Sequence, residues 1–291
     1  MSATAVDYVR SQFELLQNWR RSVRGIARAD AHRALQRVNL ANEFVGPDAA
    51  RCLDIGCGQR CQNALVYSAF GKQAFGIDLE PGTPMATVRI ALQKNLRTFG
   101  PKRAVRSMVR QLLFDPTYYR EMAAIIRRDW QLDHVRILRM NAEKLAFGNE
   151  TFDFASSDQV WEHLIDVDAA TREVQRVLRP GGIVSMTIAL FPSLSGGHHF
   201  SWANPQQSPS TYVAPWDHLR RNSYPADAYL NRFNAQNFQA VFEKYFEVLQ
   251  WVLDAPVGRD LLTPEIRSEL KGYSDEELLT PNVTVLARKR G

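Results

Sequence analysis

Two neighbouring imidazoles, His198 and His199, stand in the run SLSGGHHFSW, after two glycines and ahead of Phe200 and Trp202. An imidazole titrates near pH 6.5, so the pair could take a proton from a hydroxyl, ligate a metal ion or only pack a loop. A second set lies in LDIGCG, Leu53 to Gly58. Gly56 and Gly58 carry no Cβ, which lets the backbone approach a ligand closely. Asp78 ends the next apolar run, and its carboxylate can accept both ribose hydroxyls of an adenosine. Alone, this pattern also suits NAD, although the six-residue dinucleotide fingerprint would need glycine where Cys61 stands. Cys52, Cys57 and Cys61 match neither a paired CxxC zinc signature nor a cluster-binding run. Cys52 is expected to be buried in a strand, and three cysteines without a disulfide framework point to a reducing compartment.

The elements around these residues follow from hydrophobic spacing. Residues 5–45 carry Val9, Phe13, Leu16, Trp19 and Val23 at helical intervals and predict a helical cap. RCLDIG, QAFGID, VRILRM, FDFASS and IVSMTIAL predict five strands separated by helices. VDAATREVQRVLR predicts a helix with Asp166 as N-cap and Val167, Val174, Val177 and Leu178 inward. AYLNRFNAQNFQAVFEKY predicts another helix; FEVLQWVLD and NVTVLARK predict two closing strands, with capping-box spacing at Ser274 and Glu277 between them. Alternating strands and helices imply an α/β doubly wound, Rossmann-like sheet of seven strands, mostly parallel with an antiparallel final strand. Ligands then bind at the carboxyl ends of the strands, near the switch point beside the first one.

Residues 82–134 are too long for a simple crossover. Val105, Met108, Val109 and Leu112, then Tyr118, Met122, Ile125 and Ile126, predict inserted helices. The segment is rich in Arg and Lys, which suits a solvated helix face or a basic lid over an anionic substrate. Over the whole chain, 36 Lys and Arg against 31 Asp and Glu give +5, too mild a balance to imply nucleic acid. No apolar run reaches the roughly 18–20 residues of a membrane span, and the N-terminus lacks the apolar core of a signal peptide. A cytoplasmic protein is expected.

In order along the chain, LDIGCG, GIDLE, MNAEKLAFGNETFDFASSDQVWEHL and RVLRPGG resemble the class I S-adenosylmethionine-dependent methyltransferases, over roughly residues 48–190. The resemblance implies that Asp54, Gly56 and Gly58 shape a loop around the methionine part of S-adenosylmethionine and that Asp78 holds its ribose. Asn141 matches an aspartate that contacts the adenine amino group, and an amide oxygen can still accept that bond. Ala142 would offer its N–H to the ring, and Ser157 and Asp158 would face the cofactor. The frequent third glycine of the loop is here Arg60. The layout implied is a helical N-terminal cap over 1–46 and a methyltransferase domain over 47–291, with a helical insertion at 82–134 and a lid loop at 191–226.

Methyl transfer is an in-line displacement at an activated carbon, so the protein mainly aligns the reactants and excludes water. A hydroxyl acceptor also gains from losing its proton, and His198 and His199, following strand five, are the expected catalytic residues. Trp202, Trp216, Asp217 and His218 are expected to wall a substrate that stacks on aromatic rings, with Gly196 and Gly197 as a hinge. Some methyltransferases of quinone pathways and small RNA hold a divalent ion through a Glu-x-x-Glu-His segment. Here the first acid is Gln159, so no metal is expected, and Glu162 and His163 are expected to pack and hydrogen-bond. The reading is O-methylation of a small-molecule or glycan-precursor hydroxyl. An RNA 2′-O-methyltransferase is the alternative, and a non-catalytic partner subunit is the alternative of another class.

Overall fold

The computed structural model describes residues 5–47, 51–82, 111–112, 114–203, 205 and 209–291, with side chains of the first helix from Val23 onward. Most of the predicted insertion, including its basic residues from Arg89 to Arg110, lies outside the described residues, as do the side chains of Val9, Phe13, Leu16 and Trp19.

Seven strands form one sheet in the order β3-β2-β1-β4-β5-β7-β6. They are β1 (Arg51–Ile55), β2 (Gln73–Asp78), β3 (Val135–Arg139), β4 (Phe152–Asp158), β5 (Leu178–Ala189), β6 (Phe246–Leu253) and β7 (Asn282–Lys289). The pairs from β3 to β5 are parallel, and β7 runs antiparallel to both β5 and β6. The strand order reverses between β1 and β4, where Ile55 stands level with Ser157. That is the crevice position where doubly wound sheets take ligands.

Side-chain alternation on the strands builds two cores. Leu53, Ile55, Val184, Met186 and Ile188 face α4 (Val167–Val177) and α6 (Ala235–Tyr245). Cys52, Ala74, Phe154 and Ile183 face α1 (Ala5–Phe44), α2 (Gln62–Ala69) and α3 (Asp115–Ile126). On α1 the buried Val23, Ala27, Ala31, Ala34, Val38 and Ala41 recur at three- and four-residue steps, the stripe a helix needs to lie on a sheet. Most are alanines, so the backbone comes close. Asp166 caps α4 by accepting from the Ala169 N–H at 2.8 Å. Helix α6 begins at Ala235, later than its apolar spacing suggested, because Asn234 closes a capping box with Asn237.

A third, smaller core joins Leu194, Trp202, Val213 and Trp216 to Leu270, Leu278 and Leu279. The loop after β5, with the short α5 (Asp217–Arg220), is thus anchored on α7 (Pro264–Glu269), α8 (Asp275–Leu279) and their flanks. Ser274 and Glu277 form the expected capping box at α8.

Candidate active site

The turn from β1 into α2 is shaped by backbone conformation. Gly56 and Gly58 have φ of +69° and +61°. A Cβ on Gly56 would sit 2.1 Å from a Val160 methyl, whereas one on Gly58 would meet no described atom within 4 Å. The first glycine permits packing, and the second faces open space. Asp78 Oδ2 accepts the Gly58 N–H at 3.0 Å and Oδ1 accepts the Glu80 N–H at 2.7 Å. Arg60, at the position of the missing third glycine, lays its guanidinium 4.3 Å from the Tyr118 ring centroid and pairs with Asp115 at 3.9 Å. The loop is tied to α3 instead of being left smooth.

Asp54 is buried. Its Oδ1 accepts from Asn63 Nδ2 at 2.9 Å and from Ser156 Oγ at 3.2 Å, while Oδ2 has no hydrogen-bond partner among the described residues. Burial pushes its carboxyl up to about 7, against the Asn63 hydrogen bond and the charge of Arg37. S-adenosylmethionine fits here on two counts. The unpartnered Asp54 oxygen would suit the cofactor's ammonium, and the absence of described atoms within 4 Å of a Cβ on Gly58 would leave room for its chain.

Asn63 also donates to Asp158 Oδ2 at 3.2 Å, so it bridges two carboxylates. Asp158 is held chiefly by Arg37 of α1, whose Nη1 and Nη2 donate to its two oxygens and whose Nη2 also donates to the Ser157 carbonyl at 3.1 Å. Burial would raise Asp158, but Arg37 and Asn63 outweigh it and hold the group below the ordinary carboxylate range. Ser157 Oγ donates to the Ile55 carbonyl at 2.9 Å, so this hydroxyl braces β1 against β4. Asn141 Oδ1 accepts the Glu143 N–H at 2.9 Å on an exposed turn, and Ala142 beside it is buried.

On the α1 face, past the helix, lies a cavity of about 800 Å³. Alternation along β5 points Val184, Met186 and Ile188 into the first core and leaves Ser185 and Thr187 as cavity floor, with Thr284 and Asn282 of β7. Arg33, Gln36 and Arg37 of α1 form one wall, and Asp158 and Gln159 stand where β4 ends. His198 and His199 form another wall. His199 Nδ1 accepts the Ser201 N–H at 3.2 Å, which puts the proton of the neutral ring on Nε2. His198 takes a left-handed backbone, φ +53°, and its Nε2 lies 3.9 Å from Glu162 Oε1. Burial, then the neighbouring His163 and His218, bring His198 down to about 4, so it is neutral at pH 7.

Glu162 and His163 sit in the one-turn helix Trp161–His163, fixed by the Trp161 indole on Thr171 Oγ1 at 3.1 Å and by Asn231 Nδ2 on the Trp161 carbonyl at 2.7 Å. Against expectation, Glu162 does not settle into hydrogen bonds. It is 3% exposed, and neither oxygen has a hydrogen-bond partner among the described residues. Burial pushes it up to about 8; the amides of Glu162 and Ala189 pull the other way without reaching hydrogen-bond geometry.

The expected aromatic wall differs most. Among the described residues lining the cavity, Trp202, Trp216, Asp217 and His218 do not occur. Trp216 is fully buried with its indole N–H on the Leu278 carbonyl at 3.1 Å, and Trp202 packs in the same core. Asp217 Oδ2 accepts the Tyr224 N–H at 3.0 Å, and His218 Nε2 bonds the Phe191 carbonyl at 2.8 Å. These four anchor the loop. Nor do the glycines hinge it. A Cβ on Gly196 would meet the Phe191 carbonyl oxygen at 2.1 Å, and one on Gly197 the His218 ring at 2.6 Å. Both are glycines because the chain is packed too closely for anything larger. Sequence reasoning missed Arg37 and Asn63. The one legible sign was an arginine placed in the alanine stripe of α1.

A family model described as a methyltransferase domain matches residues 23–245. A ubiquinone/menaquinone biosynthesis C-methyltransferase, UbiE, of Hahella chejuensis (strain KCTC 2396) is 44% identical over 50 residues, 17% of this chain. The match spans only 20% of that relative's length. Among solved structures, a geranyl diphosphate C-methyltransferase from Streptomyces coelicolor A3(2) is similar with TM-score 0.46 and 15% identity, over 87% of this chain and 77% of that one. The [4+2]-cyclase SpnF gives 0.43 and 18% over 87% and 80%.

Proposed function

Since the chain belongs to the methyltransferase-domain family and is a class I S-adenosylmethionine-dependent methyltransferase, we propose that it methylates a hydroxyl of a small polar acceptor, of small-molecule or glycan-precursor type, held in the cavity over β5 and β7. The observation that carries this reading is the cavity itself. It shares Asp158 with the polar chain running from Asp54 through Asn63, and it is walled by two histidines. Its volume of about 800 Å³ lies within the range of small-molecule pockets, roughly 300–1,000 Å³, which favours a compact acceptor over an RNA strand.

When bound, S-adenosylmethionine supplies a methyl group already activated on a sulfonium sulfur. Asp54 would meet the ammonium through its bare oxygen, with the Gly56–Gly58 turn following the methionine chain. Asp78 uses two lone pairs on backbone N–H groups, and a carboxylate has about four, so it can still accept ribose hydroxyls. Asn141 and Ala142 would border the adenine. Ser157 and Asp158, fixed by Ile55 and Arg37, form the boundary between cofactor and acceptor. Ser185, Thr187 and Thr284 offer hydroxyls to orient a polar acceptor. His199 stands beside the acceptor oxygen with its Nε2–H as donor. The acceptor's proton passes to water at the His198 end of the cavity, while the electron pair stays on oxygen for the bond to the methyl carbon.

The test is transfer of labelled methyl from S-adenosylmethionine to cell-extract acceptors, with mass spectrometry and NMR of the product. An O-methyl product of low mass supports the reading. A C-methyl or N-methyl product, labelled RNA, or bound cofactor without transfer would overturn it. His198→Ala and His199→Ala, singly and together, should each lose turnover. Full activity in all three would remove the histidine wall from the chemistry.

A further inference from the structure

We infer that Glu162, His163 and His198 form a binding site for a divalent transition-metal ion at the edge of the cavity. One ligand atom from each residue lies within 4.8 Å of the others. In a tetrahedral site with bonds of about 2.0–2.2 Å, ligand atoms stand about 3.3 Å apart, so closing the cluster takes side-chain movements on the order of 1 Å. The Glu162 carboxylate is buried at 3% exposure, and neither oxygen has a hydrogen-bond partner among the described residues. A buried carboxylate without partners is costly, and a cation relieves that cost.

One further observation points to an ion. His163 Nδ1 lies 2.9 Å from the Tyr229 carbonyl, so Nδ1 bears the proton and Nε2 keeps the lone pair. Metal-ligating histidines are fixed by this kind of outer hydrogen bond. His198 is held in the left-handed region at φ +53°, with its N–H on the Ser195 carbonyl at 2.9 Å. Gln159, the residue that made a metal unexpected from sequence, turns away and donates to Asn282 Oδ1 at 2.9 Å. The third ligand comes instead from the loop after β5.

Two imidazoles and one carboxylate suit a first-row transition metal better than Mg²⁺ or Ca²⁺, which prefer all-oxygen sites. Three protein ligands leave a further coordination position, and His198 places it on the cavity wall. What the ion does rests on the proposed function; that it binds does not. The acceptor hydroxyl would coordinate there and release its proton to water, keeping the electron pair on oxygen. That pair forms the bond to the methyl carbon as the carbon–sulfur bond breaks toward sulfur.

Chelator-dialysed protein should be titrated with Co²⁺ by visible absorption and with Zn²⁺ by calorimetry. We expect one ion per chain at micromolar affinity or better. Glu162→Gln and His198→Ala should each weaken it about 100-fold while S-adenosylmethionine binding, the check on folding, stays unchanged. In the unsubstituted protein, Co²⁺ should broaden the ring resonances of His163 and His198 and spare those of His32 and His134. No binding up to millimolar ion, variants that bind as before, or broadening at His32 or His134 in place of His163 and His198 would overturn the site. Methyl transfer in chelator separates the two readings. Undiminished transfer without Co²⁺ binding overturns the metal site alone, and Co²⁺ binding without any transfer overturns the proposed function alone.

Discussion

Asp54 carries one buried oxygen with two donors and one with none. The imbalance has a measurable sign. The ordinary aspartate value is near 4, and burial pushes this one up to about 7. Between those values the folded protein keeps a proton that the unfolded chain has lost. The group's contribution to stability is therefore complete below about pH 4 and declines as pH climbs to 7. The thermal midpoint of the unsubstituted protein should fall more steeply from pH 5 to 8 than that of Asp54→Asn, followed by calorimetry in matched buffers. The same variant should weaken S-adenosylmethionine binding roughly 10- to 100-fold in titration calorimetry, the loss of a charge-assisted hydrogen bond. Gly197 gives a second test at this scale. With the His218 ring 2.6 Å from the Cβ it would gain, Gly197→Ala should cost about 1–3 kcal/mol of overpacking in urea unfolding.

Arg37 and Asp158 join α1 to β4 across 121 residues of sequence. Arg37→Leu strands a largely buried carboxylate and should cost about 3–5 kcal/mol in urea unfolding, whereas Arg37→Leu with Asp158→Leu should recover most of that loss. Elements of this kind were unequally legible. The strands could be read because alternation of apolar residues is local, and the ends of α4 and α8 because Asp166 and Ser274 cap them through neighbours three residues on. The Arg37–Asp158 pair could not be read, because nothing near either residue reports the partner. The aromatic run from Trp202 to Trp216 is ambiguous in sequence for the same reason. An aromatic that walls a ligand and one that fills a core look alike until Leu278 supplies a carbonyl for the indole. Glu162 and His163 were visible as a motif, but His198 joins them only through the fold.

At the scale of the molecule, α1 is part of the sheet's second core. Its alanine stripe covers Cys52, Phe154 and Ile183, and its arginines wall the cavity. A chain begun at Val45 should show no cooperative urea transition by circular dichroism; a normal transition would make the helix a detachable cover. Among the described residues no helix is long and apolar enough to cross a membrane. Strand β7 lies between β5 and β6, not at an edge, and Asn282 and Thr284 on it complete the cavity floor. During synthesis, β5 and β6 therefore leave the ribosome with facing edges unpaired, and both stay open until residues 282–289 emerge. A nascent chain stalled before Asn282 has the Gly56–Gly58 turn but half a cavity floor, and it exposes two strand edges to any chaperone or neighbouring chain that reaches them first.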